Sequence, residues 1–338
     1  MSKKILFRVD ANSIIGFGHL YRCIAISEHI QSSFECYFLT KTLKINLIQE
    51  IKNVGKHIAL NVCNIKEEIQ FILDVCKKEK IRIVVLDGYN FNQNYQKLLK
   101  NEMGLKLVSI DDFQQFNYAS DVVINHAESI DHKNFKCSSQ TKFFTGFEYL
   151  MIRKSFFEVN ANKSSNKIPE IKNLFISFGG SDINNNTLRF TKIIGKTGLF
   201  DNIHVLINDD VKLRKELEQF SCNLVKTKVH IHQDLNAETI SGILQNTQLS
   251  VVPSSTIGLE AFVSGNILLT GTTAKNQENI YNSLRKNSGV IGLGDMNQVS
   301  DSEILTKLNR LISTKNLNIS SGKKIKDNRL IEIFKELI

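Results

Sequence analysis

The chain has 338 residues, of which 42% are hydrophobic and 23% charged, and its formal net charge at pH 7 is +9. This composition is typical of an ordinary soluble globular protein, and the length favours two domains. No apolar run approaches the roughly 18 residues that span a bilayer, and the first four residues lead directly into a predicted strand. We therefore expect a cytoplasmic protein with no stable membrane association.

The cysteines and the basic residues indicate neither a metal site nor a nucleic-acid partner. Six cysteines are scattered along the chain without a C-x-x-C pair or a Cys/His cluster at zinc spacing, which predicts reduced thiols and no bound metal. The lysines are spread out, and no nucleic-acid-binding motif accompanies them. The positive charge suits solvated helix faces and a small anionic substrate.

The first half of the chain contains six apolar runs that predict strands, separated by helical or loop segments. They lie at 5–9, 34–39, 58–62, 81–86, 105–110 and 122–124. Polar residues follow several of them, and those we single out are Asp10, Gly16 to His19, Asp87 to Asn90, Asp111-Asp112 and Asn125-His126.

The loop Gly16-Phe17-Gly18-His19 follows the first strand and opens a predicted helix. Its glycines allow a sharp bend and the close approach of a ligand. Histidine can exchange a proton near neutral pH, so His19 is a candidate general base. Taken alone, the motif fits an ordinary helix-start turn with a surface histidine equally well.

A polar segment at 158–170 contains one of only two prolines and no predicted strand, which is typical of an interdomain linker. We predict an N-terminal domain at 1–157 and a C-terminal domain at 171–338. We also predict that the last helix packs back on the N-terminal domain.

The second half also contains six predicted strands, at 174–178, 204–207, 229–232, 249–252, 267–269 and 290–291. The segment Gly179-Gly180-Ser181-Asp182 follows the first of them, where exposed amides and a helix dipole suit a phosphate group. After the fourth strand, Ser255 and Thr256 provide hydroxyl caps at a helix start. Glu260, one turn further on, could accept hydrogen bonds from ribose hydroxyls. Each feature alone also fits an ordinary cap or turn.

The expected fold class is α/β, with two Rossmann-like domains facing each other across a cleft, as in GT-B enzymes. A nicotinamide cofactor is excluded because Gly16-Phe17-Gly18 lacks the third glycine and no acidic residue ends the second strand. A P-loop is absent as well. These patterns favour a nucleotide-sugar enzyme without a cofactor.

Seven motifs in this chain resemble, in order, those of the UDP-sugar hydrolases of pseudaminic acid biosynthesis, which are similar to the N-acetylglucosaminyltransferase of peptidoglycan synthesis. The resemblance covers about residues 5–295. The motifs are 7–10 continuing through 16–22, 87–89, 109–112, 146–153, 178–182, 255–256 with 260–261, and 275–278.

The resemblance implies hydrolysis of UDP-2,4-diacetamido-2,4,6-trideoxy-β-L-altropyranose at the sugar C1–O bond, with inversion and without a metal. UDP and a free sugar, destined for a nonulosonic acid, would be released. It makes His19 the base or water-orienting group, Tyr89 a substrate-positioning phenol and Asn276 a polar contact to the sugar or water. The implied UDP and substrate contacts are Gly16, Gly18, Arg22, Gly179, Gly180, Ser181, Asp182, Ser255, Thr256, Glu260 and Gln277.

Two alternatives remain open from the sequence. An inverting glycosyltransferase would use the same UDP-sugar site and pass the sugar to an acceptor. A non-catalytic UDP-sugar-binding protein would keep Glu260 and the phosphate loops but could lose His19, Tyr89 and Asn276, all of which are present.

Overall fold

The computed structural model describes residues 3–12, 15–113, 117–128, 130–131, 133, 135–137, 140–162, 170–180, 182–314 and 328–338. It divides the chain into two compact units. Unit 1 comprises Met1–Arg153 and Asp327–Ile338, and unit 2 comprises Lys154–Lys326.

The boundary between the units lies earlier than the predicted end of the first domain at 157. The first part of the predicted linker belongs to helix α5 (Lys154–Asn162), which packs within unit 2. Phe156 and Val159, three residues apart, are buried and give this helix an apolar face that a solvated linker would lack. Residues 163–169 of that segment lie outside the described part of the chain.

Unit 1 alternates strands and helices along the chain. Its elements are β1 (Lys3–Val9), α1 (Gly18–Ile30), β2 (Phe34–Thr40), α2 (Ile45–Val54), β3 (Lys56–Ala59), α3 (Ile65–Glu79), β4 (Ile83–Asp87), α4 (Gln93–Met103), β5 (Lys106–Ile110), β6 (Asn117–Tyr118), β7 (Val122–Asn125), β8 (Lys136–Cys137) and β9 (Lys142–Thr145). A short 3-10 helix covers Phe147–Tyr149.

The main sheet of unit 1 is parallel, with the strand order β3-β2-β1-β4-β5-β7-β9, and β6 pairs with β8 separately. The chain builds outward from β1 to β3 and then returns to place β4 on the other side of β1. This reversal leaves a crevice at the carboxyl ends of β1 and β4, where ligands bind in sheets of this type.

Unit 2 repeats the same plan. After α5 its elements are β10 (Asn173–Ile176), α6 (Asn186–Gly195), β11 (Asn202–Ile207), α7 (Val211–Ser221), β12 (Lys228–Gln233), α8 (Ala237–Gln245), β13 (Leu249–Pro253), α9 (Thr256–Val263), β14 (Ile267–Thr272), α10 (Glu278–Leu284), β15 (Val290–Asp295) and α11 (Asp301–Ser313). Its parallel sheet has the order β12-β11-β10-β13-β14-β15, so the chain reverses between β10 and β13.

Helix α12 (Leu330–Lys335) lies in unit 1, although all of unit 2 precedes it in the chain. Leu330, Ile333 and Phe334 are fully buried in the core formed by the helix and strand side chains of unit 1. Asn328 donates to the Leu150 carbonyl oxygen at 2.6 Å. In the part of the chain that the structure describes, no helix combines the length and apolar character needed to cross a membrane.

Candidate active site

The predicted site residues fall into two groups, one in each unit. The unit 1 group lies at the carboxyl ends of β1 and β4, between which that sheet reverses direction. The unit 2 group follows β10 and β13, where the second sheet reverses, and the adjacent strand β14.

In unit 1, the glycine loop carries His19 into the first turn of α1. Gly16 has a φ of +86°, a conformation that favours glycine, and its N–H donates to the Asn12 carbonyl oxygen at 2.8 Å. Helix α1 begins at Gly18, so His19 is its second residue. The loop therefore turns sharply and delivers the imidazole, 6% exposed, to the end of β4.

His19 is paired with Asp87, the last residue of β4. The His19 Nδ1 atom lies 2.7 Å from the Asp87 Oδ1 atom. Burial would raise the pKa of Asp87, but the charges of Arg22 and His19 outweigh it and lower this pKa to about 2. An ionised carboxylate can only accept, so we assign the hydrogen to Nδ1, although Arg22 Nη2 also lies 3.0 Å from that atom. With this assignment, the neutral ring has its lone pair on Nε2. This tautomer can take a proton from water through Nε2.

Arg22 anchors this pair from the next turn of α1. Its Nε and Nη2 atoms each donate to Asp87 at 2.6 Å, and its Nη1 atom donates to Asp112 at 2.5 Å. Burial would raise the pKa of Asp112, but the Arg22 charge holds it below its usual value. Arg22 is 5% exposed, and its three nitrogens all donate to carboxylates. The substrate contact expected of Arg22 stays a prediction. The bidentate pair fixes the orientation of Asp87.

Tyr89 lies beside His19. The two rings meet edge to face with centroids 4.9 Å apart, and the Tyr89 hydroxyl donates to Asp112 Oδ2 at 3.1 Å. Tyr89 is 38% exposed, so its ring is accessible beside a buried carboxylate. A small pocket next to it is lined by Arg22, Gly88, Tyr89, Asp111, Asp112 and Tyr118, among others.

Sequence reasoning placed Asp87, Asp112 and His126 after strands but assigned them no role. His126 follows β7 and is 2% exposed, and neither ring nitrogen has a hydrogen-bond partner among the described residues. Burial and the charge of Arg22 lower the pKa of His126 to about 4, so the ring is neutral at pH 7. The sequence signals for Asp87 were its position at a strand end and its place in the motif 87–89.

In unit 2, the loop after β10 contains Gly179 and Gly180. Gly179 has a φ of +74°, and the position that a Cβ atom would take has no neighbour within 4 Å. Asp182 accepts from the backbone N–H groups of Asn186 and Thr187 at 2.8 and 2.7 Å. These two amides at the start of α6 therefore donate to the Asp182 carboxylate, whereas the sequence predicts exposed amides that suit a phosphate. Ser181 lies outside the described residues.

The start of α9 forms the second part of this group. Ser255 occupies the N-cap position but its side chain makes no capping hydrogen bond, contrary to the predicted hydroxyl cap. Thr256 is the first helical residue, and both side chains are half-buried. Glu260 lies one turn further on and is 3% exposed. Gly258 lets the helix approach β13 closely, since a Cβ atom there would lie 2.3 Å from the Pro253 oxygen.

Asn276 and Gln277 lie in a short 3-10 helix, Lys275–Gln277, after β14. The Gln277 Oε1 atom accepts from the Thr273 backbone N–H at 2.7 Å. Gln277 therefore shapes its own loop, and Asn276, half-buried, is its neighbour within that loop. Among the described residues, no three His, Cys, Asp or Glu side chains cluster so that they could hold a metal ion.

The sequence is similar to one curated enzyme over most of both chains. It is 27% identical over 290 residues to the UDP-2,4-diacetamido-2,4,6-trideoxy-beta-L-altropyranose hydrolase of Campylobacter jejuni, covering 84% of this chain and 96% of the relative. The resemblance inferred from the motifs is thereby confirmed. No family model matches the chain.

Solved structures share the fold at low sequence identity. MurG of Acinetobacter baumannii matches with a TM-score of 0.67 at 10% identity, covering 99% of both chains. The UDP-GlcNAc 2-epimerase of Neisseria meningitidis matches with a TM-score of 0.61 at 13% identity, also covering 99% of both chains. The predicted class, α/β with two Rossmann-like domains of the GT-B type, is confirmed.

Proposed function

We propose that this chain, a relative of the Campylobacter jejuni hydrolase, is a nucleotide-sugar hydrolase. Its proposed substrate is the UDP-linked 2,4-diacetamido-2,4,6-trideoxy-β-L-altropyranose in that relative's name, and its products are UDP and the free sugar. The observation that carries the proposal is the 2.7 Å contact between His19 Nδ1 and Asp87, which leaves Nε2 of His19 as a base. We place the reaction in the cytoplasm and in pseudaminic acid biosynthesis.

The proposed chemistry is a single displacement by water at the anomeric carbon. A water molecule donates its proton to Nε2 of His19 as its oxygen forms a bond to C1. The C1–O bond to the diphosphate breaks, and its electron pair leaves with UDP. Because water attacks the face opposite the leaving group, the sugar is released with inverted configuration. No step is routed through a metal.

In this scheme Asp87 stabilises the imidazolium that forms on His19, as in other acid–histidine pairs. Arg22 holds Asp87 and is therefore a positioning residue. Tyr89 positions the sugar beside the imidazole. Such general-base assistance contributes about 10²–10⁴ in rate.

Unit 2 is proposed to bind UDP. The amides of Gly179 and Gly180 and the start of α9 with Ser255 and Thr256 would receive the diphosphate, since backbone N–H groups and the helix dipole stabilise the charge that develops on a leaving phosphate. Glu260 would accept from the ribose hydroxyls. Asn276 and Gln277 would lie toward the sugar.

The test is hydrolysis of UDP-diacetamido-trideoxy sugars in water enriched in ¹⁸O, without an acceptor. We expect stoichiometric UDP release, ¹⁸O in the sugar and not in UDP, and a first product of inverted configuration by NMR. Label in UDP would contradict attack at C1. UDP release that depends on an added acceptor would instead identify the alternative, an inverting glycosyltransferase.

His19→Asn tests the base directly. We expect UDP release to fall at least 100-fold while the dissociation constant of UDP, measured by calorimetry, stays within about twofold. His230→Asn, in unit 2, is the matched control and should retain activity. Full activity of His19→Asn would overturn the assignment. Stoichiometric binding of the UDP-sugar by the unaltered protein, without turnover, would favour the non-catalytic alternative.

A further inference from the structure

Asn297, in the turn after β15, uses its side-chain amide to join two separate loops of unit 2. Its Oδ1 atom accepts from Asn184 Nδ2 at 2.9 Å and from Asn186 Nδ2 at 2.7 Å. Its Nδ2 atom donates to the Thr273 carbonyl oxygen at 3.0 Å. A reversed Asn297 amide would place its oxygen beside the Thr273 carbonyl oxygen, so this backbone acceptor fixes its orientation.

The two loops are the ones assigned to the two ends of the substrate. Asn184 and Asn186 follow the Gly179-Gly180 segment, and Asn186, at 2% exposure, is the first residue of α6. Thr273 accepts the bond from Asn297 through its carbonyl and donates its N–H to Gln277. Asn297 therefore links the proposed diphosphate loop to the proposed sugar loop.

The backbone of the turn is held by other contacts. Arg189 of α6 donates to the carbonyl oxygens of Met296 and Val299 and forms an ion pair with Asp301 at 2.8 Å. The Met296 N–H donates to the Thr272 carbonyl oxygen at 2.8 Å. The turn therefore has anchors on both sides that do not involve the Asn297 side chain, so removing that side chain leaves the turn attached.

We propose that Asn297 is a positioning residue that holds the Asn276-Gln277 loop in register with the diphosphate loop. It would touch neither UDP nor the reacting atoms. Its effect would be to keep the sugar aligned while the leaving group is bound, and small misalignments of this kind lower the rate of the chemical step. This inference rests on the proposed function and deepens it, because it extends the site into a part of the chain beyond residue 295, where the motif resemblance ends.

The kinetic test compares Asn297→Ala and Asn297→Asp with Gln298→Ala, an exposed amide in the same turn. We expect both Asn297 variants to lower kcat about tenfold or more, with the dissociation constant of UDP changed less than threefold. Asn297→Asp keeps an oxygen that accepts from Asn184 and Asn186. It also places a second carboxylate oxygen beside the Thr273 carbonyl oxygen, where no hydrogen bond can form, so this variant should not rescue activity. Gln298→Ala should match the unaltered protein.

Two results would overturn the inference. The first is unaltered kcat in Asn297→Ala. The second is a parallel loss of kcat, UDP affinity and melting temperature, which would indicate a structural role only.

Hydrogen exchange separates this inference from the proposed function. In Asn297→Ala we expect faster exchange at the amides of 273–277, with no change in β10 or β13. If the unaltered protein hydrolyses no UDP-sugar, the substrate assignment fails, and the exchange data still decide whether Asn297 links the two loops. Unchanged exchange at 273–277 would contradict that link.

Discussion

Asp87 determines which nitrogen of His19 carries a proton. Replacing Asp87 with a neutral residue should therefore lower kcat more than it weakens the binding of UDP. In Asp87→Asn the new side-chain amide can donate to Nδ1 of His19. The lone pair of the neutral ring would then lie on Nδ1, and Nε2 would carry the hydrogen and could not accept a proton from water. We expect kcat to fall about 10²–10⁴-fold, with UDP affinity within twofold. The measurement is steady-state turnover alongside calorimetry with UDP.

The control for this prediction is Asp111→Asn, at the end of the adjacent strand. Asp111 is a buried carboxylate that accepts from Tyr118 and Asn125 at 2.6 and 2.9 Å. Its replacement should lower kcat less than tenfold. Equal losses in the two variants would show that the effect of Asp87→Asn reflects buried charge in general and not the tautomer of His19.

We predict that His126 makes unit 1 less stable against unfolding at acidic pH. Its pKa is lowered to about 4 in the folded state, so below about pH 6.5 the unfolded chain binds the proton more readily than the folded chain. The free energy of unfolding should therefore fall as the pH drops from about 6.5 to 4, by up to about 1.4 kcal/mol per pH unit from this group.

Thermal unfolding at pH 7.5 and pH 5 checks this pH dependence in the unaltered protein and in His126→Leu. Leucine has a similar volume, and no hydrogen bond is lost because neither ring nitrogen makes one among the described residues. The variant should lose less stability between the two pH values. The same loss in both proteins would show that His126 does not titrate as stated.

For individual residues, sequence reasoning singled out His19 and Tyr89 and placed Asp87 and Asp112 after strands. It did not pair these carboxylates with His19 or Arg22. Arg22 and Asp87 are 65 positions apart, and Arg22 and Asp112 are 90 apart. They meet because β4 lies next to β1 and β5 lies next to β4, an order that chain position alone does not give. Arg22 was named as a substrate contact because it lies in the first of the resembling motifs, and that motif alone gives no sign of the buried carboxylates that Arg22 contacts.

At the scale of elements, the close contact between α9 and β13 depends on Gly258. A methyl group there would meet the Pro253 carbonyl oxygen at 2.3 Å, so α9 must move in Gly258→Ala. We expect a loss of about 1–3 kcal/mol in the free energy of unfolding and weaker binding of UDP, because the start of α9 shifts with the helix. Chemical denaturation and calorimetry measure the two effects.

Gly242→Ala in α8 is the matched control for that variant. A Cβ atom at Gly242 has no neighbour within 4 Å, so alanine should stabilise the helix by up to about 1 kcal/mol and leave UDP binding unchanged. Stabilisation by both substitutions would contradict the steric argument for Gly258.

Strand prediction succeeded where strands are buried and failed at an edge of the sheet. Central parallel strands are covered on both faces and appear as continuous apolar runs, such as β1 and β4. The edge strand β9 (Lys142–Thr145) was missed, because none of its residues is fully buried. At the other edge, β3 was predicted at 58–62 but lies at Lys56–Ala59, where its side chains are half-buried or exposed.

At the scale of the whole molecule, unit 1 requires a helix that follows unit 2 in the chain. Phe334 is fully buried and meets Phe34 edge to face with centroids 6.1 Å apart. We expect Phe334→Ala to destabilise unit 1 by about 3–5 kcal/mol, through lost burial and the cavity left behind. Hydrogen exchange at β1 and β2 reports that loss, with Ile338→Ala, an exposed position, as the control. Unchanged protection of these strands would contradict the role of α12.

The placement of α12 has a consequence for synthesis on the ribosome. The strands of unit 1 emerge first, but the core they enclose lacks Leu330, Ile333 and Phe334 until the segment after unit 2 has been translated. The strands and helices described for unit 2 end at residue 313, so its core can close earlier. The core of unit 1 is therefore completed last, although its strands are synthesised first. During most of translation, the His19 loop belongs to a unit whose core is still incomplete.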